Sequence, residues 1–154
     1  MIRTLVCLML AGVLQSPADA FKREMVPLQT DVDKVVGDTQ SRVMAGSRAA
    51  LIDGYGVVTS VTVALEAPRS LFGAASTKEQ VIQSVGKRQK DIKDKLTALM
   101  KQRVVNMESI GAEESLAVVV HLENYNLDAV PNLPHQLVFS VKKSNPQTVN
   151  YREL

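Results

Sequence analysis

Apolar and polar residues alternate most regularly just after Gly54-Tyr55-Gly56. Val57, Thr59, Val61, Val63 and Leu65 fall on one side of a pleated strand, and Val58, Ser60, Thr62, Ala64 and Glu66 on the other. The first set is mostly apolar and the second is small and mixed, while β-branched residues crowd both, which predicts a central strand covered on one face. The glycines around Tyr55 allow a turn or bulge that a residue with a Cβ would resist, so Gly54, Tyr55 and Gly56 are read as a structural turn.

Upstream the spacing changes. Leu28, Val32, Val35, Val36, Val43 and Met44 recur every three or four residues, which predicts a helix from Val26 to about Ser47, with Pro27 in its first turn. Arg48 to Asp53 can alternatively form a short strand leading into the turn. Downstream, Ser76-Thr77-Lys78-Glu79 has the form of a capping box. Ile82, Val85, Gln89, Ile92, Leu96, Leu99, Arg103 and Met107 then trace one seam, which predicts a long helix stopping near Gly111. At the centres of their apolar faces, Leu96 and Val118 are expected in one core. Leu116, Val118, Val120 and Leu122 mark a second strand, Asn124 to Pro134 a set of turns, and Leu137, Phe139 and Val141 a third strand ending before Asn145-Pro146.

These elements predict an α+β fold: a small three-stranded, mainly antiparallel sheet with two long amphipathic helices on one face, in the order helix, strand, helix, strand, strand. Domain organisation follows from the ends of the chain. Met1-Ile2-Arg3, the apolar run Leu5 to Leu14 and Ala18-Asp19-Ala20 form the pattern of a signal peptide over residues 1–20, cleaved after Ala20. The apolar run is about half of the ~20 residues a spanning helix needs, so no integral membrane span is expected after leader removal. Residues 21–144 make one domain, and 145–154 a loosely held tail. The protein is therefore expected in the periplasm or outside the cell.

Composition narrows the chemistry. The single cysteine, Cys7, lies within the leader, so the mature chain has no thiol for a disulfide, a nucleophile or a metal. Removing residues 1–20 takes one base, Arg3, and one acid, Asp19, and leaves the formal net charge at +2. That field is too weak to imply nucleic acid as a partner. Asp91 and Asp94 interrupt the Lys87 to Lys95 run, which reads as a solvated helix face.

Candidate chemistry is sparse. His121 and Glu123, two apart on a strand, share a side, and His135 could join them if the last two strands pair, which would make a metal or acid–base site. With only two ligands secured, no metal, cofactor or catalytic residue is assigned. Ser84-Val85-Gly86-Lys87 and Ser140-Val141-Lys142-Lys143 match the S-x-x-K spacing of penicillin-interacting enzymes but lack the accompanying K-T-G and S-D-N elements. No nucleotide-binding loop or zinc-protease motif occurs.

Gly-Tyr-Gly-Val-Val before an alternating strand, a long charged helix, and Glu114-Ser115-Leu116-Ala117-Val118-Val119-Val120 together resemble uncharacterised exported bacterial proteins with a Gly-Tyr-Gly turn before a strand. The resemblance covers roughly Ala50 to Lys143 and implies no activity and no site residue. The expectation is an exported, non-enzymatic protein that works by contact with an envelope or extracellular protein. The alternatives are a metal-dependent or enzymatic module on His121 and Glu123, and a peripheral membrane module using the second helix.

Overall fold

The computed structural model describes residues 16–65, 76–123 and 130–154. The chain runs α1 (Pro17–Gly37), β1 (Arg42–Ile52), β2 (Gly56–Ala64), α2 (Lys78–Asn106), β3 (Ser115–Glu123), β4 (Gln136–Lys142) and β5 (Val149–Glu153). The five strands form one sheet in sequence order; β2 and β3 are parallel and every other pair is antiparallel. The α+β class is as expected. The three-stranded sheet and the order helix, strand, helix, strand, strand are corrected: there are five strands, and the order is helix, two strands, helix, three strands.

The two missed strands are the edges. Residues 42–52, assigned above largely to the first helix, form β1, and its alternation is broken by register shifts between Val43 and Ala45 and between Ala45 and Arg48. With the face rule interrupted twice, Val43 and Met44 fall into apparent helical spacing with Val35 and Val36. The helix stops earlier: the Asp38 N–H donates to the Lys34 carbonyl, the Thr39 hydroxyl donates to the Val36 carbonyl, and Gln40 turns the chain at φ 60°. It also starts earlier, with Ser16 as N-cap and Pro17 in the first turn, so Pro27 lies inside it. At the other edge, Val149–Glu153 pairs with β4 instead of trailing loosely. Only five residues long, it is too short for alternation to stand out.

Both helices pack on one face. Val57, Val61 and Val63 of β2, Leu116, Val118 and Val120 of β3, and Leu137, Phe139 and Val141 of β4 are buried in one core with Val32 and Val36 of α1 and Ile92, Leu96 and Met100 of α2. Leu96 and Val118 share this core as expected, both fully buried. Thr77 closes the capping box with Gln80, one residue beyond the expected pair. After α2, Lys143 donates its ammonium to the carbonyl of the C-cap Met107 and to that of Ile110 in the following turn.

Long-range polar contacts hold α1 in place. The Glu24 carboxylate accepts from the backbone N–H groups of Glu108 and Ser109 and from the Ser109 hydroxyl. Asp33 accepts the Ser47 N–H at 2.8 Å, and the Ser47 hydroxyl donates to the Gln29 carbonyl at 2.9 Å, which anchors the irregular part of β1 to α1. Asp31 pairs with Arg103 of α2. Asp31 and Asp33 thus act as connectors from the middle of α1.

The Gly-Tyr-Gly turn acts at the junction of β1, β2 and β3. Ile52 accepts the Tyr55 N–H, with Gly54 at φ 73° in the turn. Gly56 sits at φ 115°, and a Cβ there would lie 2.2 Å from the Ser115 carbonyl oxygen. The Ser115 N–H also donates to the Tyr55 carbonyl at 2.7 Å. Glycine is needed because the first residue of β3 crosses directly over this backbone.

Candidate functional site

The face of the sheet away from the helices has its own order. Pairing registers place Ala50, Val58, Ala117, Ser140 and Asn150 in one row across five strands. The next row is Arg48, Ser60, Val119, Val138 and Arg152. Beside it run Ala45, Thr62, His121 and Gln136, and then Arg42, Ala64 and Glu123. Central side chains here are small or β-branched, and Val58, Ser60, Thr62, Val119, Val138 and Ser140 remain half-exposed. The arrangement is a shallow platform about two rows deep, with cations at its borders.

His121 and Glu123 share this face, as their spacing predicts, with His121 between Thr62 of β2 and Gln136 of β4. His135 does not join them. Its carbonyl accepts from Leu122 and its N–H donates to the Leu154 carbonyl, and it precedes Gln136, the residue paired with His121, so alternation puts it on the opposite side. Among the described residues, no three His, Cys, Asp or Glu side chains are grouped to hold a metal ion. The Ser84 and Lys87 pair lies on α2, and Ser140 and Lys143 are separated by the end of β4, where Lys143 is occupied with the carbonyls after α2.

Arginines divide by face. Arg23 pairs with Glu108 at 2.8 Å, Arg103 with Asp31, and Arg88 donates to the Leu65 carbonyl. Lys93 stands 4.2 Å from the centre of the Tyr151 ring, on the helix side of β5. That ring packs on Phe139 at 5.0 Å between centroids, and its hydroxyl donates to Glu153. Burial, reinforced by that hydrogen bond, pushes the Tyr151 hydroxyl up to about 12. The guanidinium groups of Arg42, Arg48 and Arg152 on the open face have no ion pair or hydrogen bond among the described residues. Lys142, the other cation bordering this face, is 3.8 Å from Glu113. Composition does not signal this division, because it depends on the register of both edge strands.

Other concavities are poorer candidates. A groove of about 390 Å³ between α1 and α2 is lined by residues such as Asp31, Lys34, Leu99 and Arg103, and the ion pair between Asp31 and Arg103 lies in it. A cavity of about 140 Å³ near Arg23 and Met107 is smaller than a typical ligand site. Ala18 and Ala20, the residues of the expected cleavage site, occupy the first turn of α1, where Ala20 is buried. Among the described residues no helix is long and apolar enough to cross a membrane. Comparison with protein-family models, curated proteins and solved structures gives no match for this chain.

Proposed function

We propose that this is an exported, non-enzymatic protein that acts by contact with another protein of the cell envelope or extracellular space, and that the open sheet face is the contact surface. The observation that carries the reading is one-sided coverage: α1 and α2 pack on one face of five strands and leave a platform of half-exposed small side chains on the other. Export rests on the leader pattern of residues 1–20. The platform offers area and hydroxyl groups, and among the described residues no convergence of ionisable groups of the kind a reaction centre requires lies on it.

A photo-crosslinking amino acid placed at Ser60, compared with one at the exposed Gln83 of α2, tests this in the exporting cell. A discrete adduct through Ser60, absent at Gln83 and lost in Thr62→Arg while the domain stays folded, is expected. Adducts through Gln83 alone would move the contact to the helical side.

A further inference from the structure

Resting on that reading, we infer that the partner presents an acidic polypeptide segment to the open face, held by Arg48 and Arg152 at the two ends of one row and by Arg42 at a border. The first ground is the division of the arginines. Arg23, Arg88 and Arg103 each bind an acceptor within the fold, whereas Arg42, Arg48 and Arg152 are exposed and bind none among the described residues. An arginine left without an acceptor keeps its planar set of N–H donors available for a carboxylate from outside.

The second ground is the spacing. Arg48 and Arg152 terminate a row whose inner members are Ser60, Val119 and Val138. Four inter-strand gaps put their backbones about 19 Å apart, the span of about six extended residues. An extended segment with acidic residues near both ends can lie across the strands over these small side chains, with the Ser60 and Thr62 hydroxyls within its path. Glu123 is the one acid on the rows of this face, and it stands in the border row opposite Arg42.

Other occupants fit less well. A second copy placed face to face would oppose arginine rim to arginine rim. A nucleic acid strand needs aromatic platforms, and the described aromatics lie elsewhere: Tyr55 in the hairpin turn, Phe21 on α1 against the core, and Phe139 and Tyr151 on the helix side. A membrane surface would find valines as the largest apolar groups in the central rows, too short to insert. Charges on edge strands also discourage strand-to-strand aggregation, a role that glutamate would fill equally well. Charge reversal therefore separates the two roles.

The test measures fluorescence anisotropy of a labelled oligoglutamate peptide long enough to span both arginines. It uses the wild type, Arg48→Glu with Arg152→Glu, and a charge-matched control, Lys78→Glu with Lys87→Glu, both exposed on α2. Circular dichroism verifies that each protein is folded. The wild type is expected to bind, the arginine double variant to lose about tenfold or more in affinity, and the lysine control to stay within about twofold. Equal loss in both variants, or no binding by the wild type, overturns the proposal. So does preference for oligothymidylate or for phosphatidylserine vesicles over the peptide. If the Ser60 adduct persists in the arginine double variant, the contact surface stands and its acidic partner falls; if arginine-dependent peptide binding occurs without any Ser60 adduct, the reverse holds.

Discussion

Val138 and Phe139 are neighbours on β4, yet they belong to two different surfaces. Phe139 is fully buried among β3, α2 and Tyr151, while Val138 stands half-exposed between Val119 and Arg152. On the covered face, Thr59 is the one polar residue among the inward positions of β2, β3 and β4. On the open face, hydroxyls and guanidinium groups remain available. What separates the faces is the demand each makes: one must fill space, and the other, on the proposed function, stays presentable to a partner.

The sharpest way to break that contrast is to truncate across it. Phe139→Ala is expected to cost about 3–5 kcal/mol in urea denaturation, because the ring leaves a cavity under α2. Val138→Thr, one residue away, should stay within about half a kcal/mol. Comparable losses would mean that the open face is covered after all.

Two glycines sharpen the comparison between backbone and surface demands. Gly56→Ala should destabilise by about 1–3 kcal/mol, since the added Cβ meets the Ser115 backbone at a φ of 115°. Gly86→Ala, where nothing lies within 4 Å of the added carbon, should stabilise α2 by up to about 1 kcal/mol. The reverse order in chemical denaturation would remove the strand crossing from the account.

The smallest effect concerns the covered face's exception. The Thr59 hydroxyl is buried with no hydrogen-bond partner. Thr59→Val keeps the shape and removes the unmet group, so thermal unfolding should rise, by an amount equivalent to about 1 kcal/mol. A drop would show that this hydroxyl has an acceptor in solution.

The sequence was legible where one face is buried and the strand is long. β2, β3, β4 and most of α2 follow from alternation or seam, as does the common core of Leu96 and Val118. The edges escaped for physical reasons. β1 is bulged and largely exposed, so its faces do not alternate cleanly, and β5 is short and receives its buried side from Tyr151 and Val149 alone. Of the candidate site, the shared side of His121 and Glu123 could be read from spacing. The exclusion of His135 and the three unengaged arginines required the pairing register, which no local pattern encodes.

The parallel seam between β2 and β3 gives the platform a history as well as a shape. Hairpin β1–β2 closes over Asp53–Tyr55, and β3, β4 and β5 follow one another as antiparallel neighbours, so both sections rest on contacts between nearby parts of the chain. Gly56 and Ser115, by contrast, meet only after the whole of α2 has been spanned, and loop-closure entropy opposes such distant encounters. Ser60 and Val119 lie on opposite sides of that seam. Neither section alone carries the complete surface, so under the proposed function a chain arrested before the two halves meet offers a partner nothing to recognise, and recognition would report that folding has finished.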